Sequence, residues 1–370
     1  MLPGGEQGKV NGIMEKRLVY ETEQYQYYLT NEDESAKGAF FVNHQANNRS
    51  GHFGHAMVEC ANGDILAFYP NCNTDNNGHS GRGWMEYKRS SDGGVTWTEG
   101  VPFPYSKQLW DLNLGTSSIN EKAITADDGT ILLFNLICDV SNNALWEPYF
   151  CPTLLLSHDN GESWETAKRF TGLHGRVYDL YKRDGTIYIL MGAGFNADAG
   201  KNRFKLFCTQ DNGQKVFLRS TLPFAPGRYY GNLEMLPDGR LIAYTYCEDN
   251  EYYIEYCTSE DEGRSWSAVG TTYFKNRIRN PQVIRFRDAY FAFGRSGQYG
   301  ENDGHIIMYA SPDGLHWGDG MIVAERGGGL CAYSNAILIG GGERVLYQSS
   351  HSYYLHQTNV RHWFVDAEKK

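Results

Sequence analysis

Short apolar runs alternate with polar, glycine-bearing turns along most of the chain, and one arrangement keeps returning. An apolar run meets a turn dipeptide, and a second apolar run follows. Residues 55–58 lead through Asn62-Gly63 to 65–69, and 120–123 through Asp128-Gly129 to 131–134. Residues 177–180 lead through Asp184-Gly185 to 187–190, and 232–235 through Asp238-Gly239 to 241–244. Residues 336–339 pass Gly341-Gly342 to reach 345–347, and a sixth version, 281–284 to 290–293, turns at Arg287-Asp288. Runs this short, rich in Ile, Leu, Val, Tyr and Phe, read as strands. Asp-Gly or Asn-Gly between two of them predicts a tight hairpin, because glycine takes the positive φ the turn needs.

A second repeat follows most of these hairpins. Ser90-Ser91-Asp92-Gly93-Gly94-Val95-Thr96-Trp97 returns as Ser157-His158-Asp159-Asn160-Gly161-Glu162-Ser163-Trp164 and as Ser259-Glu260-Asp261-Glu262-Gly263-Arg264-Ser265-Trp266. Ser311-Pro312-Asp313-Gly314-Leu315-His316-Trp317 is one residue shorter, and Thr209-Gln210-Asp211-Asn212-Gly213 lacks the Trp. The Asp positions lie 67, 52, 50 and 52 residues apart. A period of roughly 50 marks an array of like units. The Asp carboxylate accepts backbone N–H bonds, the Ser or Thr hydroxyl adds another bond, and the Trp is expected to bury its ring as the next strand begins. These Asp residues therefore read as surface turn staples and not as catalytic groups.

Six hairpins, five of them followed by such a turn, predict an all-β fold: a six-bladed β-propeller with four-stranded blades. Residues 1–15 are expected to form a flexible lead, and 16–370 a single propeller. The last unit, near 330–365, has no Asp turn after its hairpin. A strand from 18–28 is expected to complete it, which also removes exposed edges.

The Ser-x-Asp-x-Gly-x-Thr-Trp repeat resembles the Asp box, or BNR repeat, of the sialidase (neuraminidase) superfamily. The likeness covers about residues 52–363 as a repeating architecture. It implies a sialidase-like propeller, and a site where three arginines hold a substrate carboxylate, a Tyr assisted by Glu is the nucleophile, and an Asp is the acid/base. Tyr333-Ser334 resembles the family's nucleophile motif, and Asp75 stands where the family keeps its acid/base. The family's Arg-Ile-Pro in blade one is Gly54-His55-Ala56 here, and Tyr230 and Tyr246 stand near the family's Glu and a further Arg. The resemblance thus implies a non-standard active site.

Composition narrows the picture. Aromatic residues make up 14% of the chain and glycines number 42, which suits many short strands, tight turns and packing between blades. The formal charge is −10, which argues against nucleic acid or an anionic membrane as partner, without excluding a local basic pocket. The 8 cysteines show no zinc-type spacing and read as buried thiols. Neither a signal peptide nor a membrane-length apolar stretch is visible, so a cytoplasmic protein is expected. No cofactor is expected. No metal is expected either, because His52 and His55, three apart, would face opposite sides of a strand.

In a propeller the residues before each first hairpin strand converge on one end of the central channel. Those segments hold Arg176, Arg228 and Arg279, a set matched to a carboxylate. The expected function is a carbohydrate-active enzyme on an acidic, carboxylate-bearing glycan, of the sialidase-superfamily glycoside hydrolase type. Tyr333, His55 and Asp75 are the catalytic candidates. Arg176, Arg228, Arg279, Tyr230 and His79 are the substrate-binding candidates. His55, His79, the tyrosines and the arginines also fit a propeller polysaccharide lyase, which cleaves at uronic acids by β-elimination. A non-catalytic lectin-like propeller is the third reading.

Overall fold

The computed structural model describes residues 16–30, 41–74, 80–141, 149–194, 203–247, 249–297, 304–325, 333–354 and 357–370. It is a six-bladed β-propeller of antiparallel sheets. Blade I comprises Met57–Glu59, Ile65–Cys72, Gly83–Ser90 and Val101–Pro102. Blade II comprises Thr116–Thr125, Ile131–Asp139, Thr153–Ser157 and Lys168–Arg169, and blade III Gly175–Arg183, Thr186–Ala193, Arg203–Thr209 and Phe217–Thr221. Blade IV follows as Tyr229–Met235, Leu241–Cys247, Asn250–Ser259 and Gly270–Tyr273. Blade V is Arg279–Phe286, Ala289–Arg295, Ile306–Ser311 and Met321–Ala324. Blade VI joins Ser334–Ile339, Arg344–Tyr354 and Gln357–Lys369 to Tyr25–Thr30 and then Arg17–Glu21. The start of the chain therefore contributes a hairpin, where one strand was expected, and blade VI has five strands.

The first strand of each blade touches the first strands of both neighbours, from I to II and round from VI to I, so these six line the central axis. The second strands are buried along their whole length in blades I, III, IV and V, because each blade is covered on both faces. The core is divided accordingly. Hydrophobic clusters straddle the blade interfaces: Leu132 and Phe134 meet Val177 and Ile189 between II and III, and Tyr244 and Ile254 meet Val283 and Tyr309 between IV and V. Tyr27, from the chain start, is fully buried between V and VI, and its hydroxyl donates to Asp288 at 2.5 Å. Burying such a ring contributes about 1.5–3 kcal/mol toward closing the circle.

The Asp turns join third strands to fourth strands. Ser157 Oγ accepts from the Gly161 N–H at 2.9 Å and donates to Asp159 Oδ1 at 2.8 Å. Asp159 accepts from the Ser163 N–H at 2.9 Å and from its hydroxyl at 2.5 Å. The same four bonds recur at Ser90–Thr96 and Ser259–Ser265. Gly161 has φ +83° and its Cα lies against Leu66, so a Cβ would fall 2.4 Å from Leu66 Cδ1. The Trp rings are half-buried and end four residues before the fourth strand, instead of opening it. The longest Asp interval holds an α-helix, Pro104–Asp111, which the sequence reading did not foresee; Pro104 in its first turn is preset for helix.

Candidate functional site

Bulges shape the lining of the axis. Pairing with the second strand slips between Asn120 and Lys122, Val177 and Asp179, Tyr229 and Asn232, and Arg279 and Gln282. An extra residue at such a point re-aims side chains. In blades IV and V the slip uses left-handed backbone at Tyr230 (φ 49°) and Asn280 (φ 53°). For a tyrosine this conformation costs about 1–3 kcal/mol, which the surrounding packing must hold.

A cavity of about 30 Å³ sits at the end of the axis where the first strands begin. Every blade contributes to it: His55, Glu121, Arg176, Tyr230, Gln282 and Tyr333, in order from I to VI. Four residues singled out from the sequence, His55, Arg176, Tyr230 and Tyr333, thus meet in one place. Arg228 and Arg279 do not line this cavity, and Asp75 and His79 lie outside the described residues.

Arg176 is buried, and its Nε donates to Glu121 Oε2 at 2.6 Å. Among the described residues nothing hydrogen-bonds its terminal nitrogens Nη1 and Nη2. Its guanidinium carbon lies 5.3 Å from the Tyr178 and Tyr230 ring centres and 5.9 Å from that of Phe53. Burial works against its charge, but the Glu121 carboxylate and the phenols outweigh it, and the pKa lies above the ordinary value. Burial likewise pushes the Glu121 carboxyl up while the guanidinium pulls it back. With a permanently charged arginine at 2.6 Å, the pair is ionised.

The other two arginines are committed differently. Arg228 holds Glu255 with both Nε, at 2.9 Å, and Nη2, at 2.7 Å, and its Nη1 reaches the Pro226 carbonyl at 3.5 Å. Arg279 donates from Nη1 to Glu251 at 2.8 Å and lies 5.9 Å from the Tyr246 ring centre. Its charge is also within Coulombic reach of the Tyr333 phenol. Tyr333 is buried, with its ring 4.3 Å from His52 and 5.8 Å from Tyr230. Its backbone is pinned on both sides by Ser350: the Tyr333 N–H donates to Ser350 Oγ at 3.0 Å, and its carbonyl accepts from the Ser350 N–H at 3.2 Å.

His55 is sealed within a polar network. Gln348 Nε2 donates to His55 Nδ1 at 3.1 Å and to the Phe68 carbonyl at 2.7 Å, and Gln348 Oε1 accepts from His362 at 2.5 Å. His55 Nε2 faces the His52 carbonyl at 3.3 Å, so this nitrogen carries the proton. Burial drives its pKa down to about 3. Residues 51–56 are not a strand, so the opposite-face argument for His52 and His55 does not apply; both side chains are buried. Among the described residues no group of His, Cys, Asp and Glu side chains is placed to hold a metal.

A larger cavity, about 370 Å³, opens at the opposite end of the axis. Lys122 separates the two. Its ammonium donates to Gln282 Oε1 at 2.5 Å and Asn335 Oδ1 at 2.6 Å, with Asp179 at 3.5 Å, and all three residues line the larger cavity. Those donors are spoken for within the chain, whereas Arg176 keeps donors for a ligand. We therefore place the candidate site at the smaller cavity. The sequence reading missed Glu121 and Lys122. The signal was present in Asn120-Glu121-Lys122, three successive polar residues, two of them oppositely charged, in a predicted first strand.

Comparison with protein-family profiles finds no match, and no curated protein sequence is similar. Solved structures do match in fold. A protein of unknown function from Dyadobacter fermentans superposes with a TM-score of 0.71 at 15% identity, over 87% of this chain and 96% of that one. The Hadza microbial sialidase Hz136 matches at 0.64 and 14% identity, over 89% and 68%. The K499G mutant of the NanB sialidase from Streptococcus pneumoniae matches at 0.63 and 13%, over 89% and 70%. The architecture is therefore that of the sialidase-like six-bladed β-propellers. At these identities the likeness is one of fold.

Proposed function

We propose that the protein is a carbohydrate-active enzyme, a sialidase-type glycoside hydrolase with a non-standard site, acting on an acidic glycan. The observation that carries this reading is Arg176: a buried, permanently charged guanidinium whose two terminal nitrogens are engaged by none of the described residues and which shares the axial cavity with Tyr333. Two parallel N–H groups fit a carboxylate. Tyr333 is the nucleophile: its oxygen attacks the anomeric carbon and the glycosidic C–O bond breaks. Asp75, in the role the resemblance implies, protonates the leaving oxygen, and water then cleaves the tyrosyl glycoside. Arg279, held by Glu251, places its charge within Coulombic reach of the same phenol. Tyr230 walls the pocket. His55, neutral and bonded on both nitrogens, positions the Tyr333 strand, because its carbonyl accepts from Asn335 Nδ2 at 3.0 Å. Arg228, engaged by Glu255, braces blade IV.

The test is a panel of sialosides and uronate glycans, followed by released reducing sugar and by the ultraviolet absorbance of an unsaturated uronate. Reducing sugar without new absorbance, lost in Tyr333→Phe and reduced about 10²-fold or more in Arg176→Ala, is expected. Absorbance appearing with the reducing sugar would replace hydrolysis by elimination, with Tyr333 as base. Glycan binding without either signal would leave a lectin-like propeller.

A further inference from the structure

Glu121 carries one oxygen that the described residues leave without a hydrogen-bond partner. The residue is 6% exposed, Oε2 takes the Arg176 Nε–H, and Oε1, although buried, has no hydrogen-bond partner among the described residues. Buried carboxylate oxygens are rarely left this way, because the lost hydration is not replaced. The bulge between Asn120 and Lys122 turns Glu121 into the axial cavity, where it lies beside Arg176. The cavity floor thus presents donors on Nη1 and Nη2 and an acceptor on the adjoining edge of the same ion pair.

We infer that Glu121 Oε1 accepts a hydroxyl of the ligand next to the carboxylate held by Arg176, and that the site therefore selects a terminal hexuronate. This rests on the reading of Arg176 given above. A carboxylate with no donor beside it sets its oxygens against Glu121 Oε1, two acceptors facing each other in a buried place, and is disfavoured. In a terminal hexuronate the C4 hydroxyl flanks the C6 carboxylate and fills that gap. In a sialic acid glycoside the carbon bearing the carboxylate carries only ether oxygens, and its neighbour C3 is a methylene, so no donor is at hand. At about 30 Å³ the cavity admits one or two small groups, so the match is made by functional groups and not by the bulk of the sugar.

Glutamine at this position makes the test sharp. Arg176 Nε is a donor, so the amide oxygen of Glu121→Gln must face it. The amide NH2 then points into the cavity, and the acceptor becomes a donor. Calorimetric titration would use methyl β-glucuronide, its 4-deoxy analogue and the methyl α-glycoside of N-acetylneuraminic acid. The wild type is expected to prefer the glucuronide over both others by about tenfold or more. Glu121→Gln is expected to abolish that preference, and Arg176→Lys to weaken the carboxylates alike. A wild type that binds the glucuronide and its 4-deoxy analogue equally overturns the Glu121 assignment without needing any variant to fold. So does a Glu121→Gln protein that keeps the preference. In both cases the Arg176 reading stands if Arg176→Lys weakens binding. Affinities unmoved by Arg176→Lys, or no binding of any of the three by the wild type, overturn both.

Discussion

Replacing Glu234 by glutamine should shift stability in favour of the variant as pH rises from 5 to 8. Glu234 lies on the first strand of blade IV, buried against the larger axial cavity. Its Oε1 accepts from the Arg285 N–H at 2.8 Å and its Oε2 from the Met235 N–H at 3.2 Å. Burial pushes its pKa up to about 8 from the ordinary 4.5; Asp179 adds to this, and the two N–H groups and the Arg285 charge oppose it. Between those values the unfolded chain has released a proton that the folded chain retains, so stability falls as pH rises through that window. At about 1.4 kcal/mol per unit, the fall between pH 5 and pH 8 is roughly 3.5 kcal/mol. Glutamine cannot ionise, and its NH2 cannot accept from the Met235 N–H, a cost of about 1–3 kcal/mol that does not change with pH. Urea unfolding of both proteins, read by tryptophan fluorescence at pH 5, 6, 7 and 8, gives the difference directly. It should grow in favour of the variant by about 3 kcal/mol across that range. A difference constant to within about 1 kcal/mol would show that Glu234 titrates as an ordinary carboxylate, and that burial does not dominate at this end of the axis.

Other expectations concern the turns, the histidine network and the brace. Ser157→Ala strips the buried Gly161 N–H of its acceptor, and thermal unfolding should show a loss of about 1–3 kcal/mol; an unchanged midpoint would mean that water replaces the hydroxyl. His55 stays neutral in the fold down to about pH 3, while the unfolded chain takes up its proton below 6.5, so stability falls as pH drops from 6.5 toward 3. Between pH 7 and pH 5 this amounts to about 2 kcal/mol in the wild type, and His55→Gln should lack that share; equal losses in the two proteins would refute it. Arg228→Ala should lower the unfolding midpoint by stranding Glu255, yet leave glucuronide affinity unchanged; a parallel loss of affinity would return Arg228 to the carboxylate site.

What the chain determines by itself is what its neighbouring residues settle among themselves. Ser157, Asp159, Gly161 and Ser163 satisfy one another within a single turn, so the turn can be read directly from its letters, and so can the Asp-Gly hairpins. Counting these local units yields six blades. The helix Pro104–Asp111 escaped because it is a brief insertion in a repeating pattern. The site depended on tertiary structure. Arg176, Arg228 and Arg279 look equivalent in sequence, each at or just before a first strand. They separate only when Glu255, on the third strand of blade IV, takes both Nε and Nη2 of Arg228, while Glu121, on blade II, takes only Nε of Arg176. His55 looked like a titrating group until Gln348, nearly three hundred residues away, occupied its ring nitrogen. Such pairings join distant strands, within blade IV for Arg228 and Glu255 and between blades for the others. They are set by strand register and by bulges such as the one at Asn120 and Lys122, where a one-residue slip turns a side chain to the other face. No short stretch of sequence contains both partners of such a contact, and so the chemistry of the axis exists only once the ring has closed.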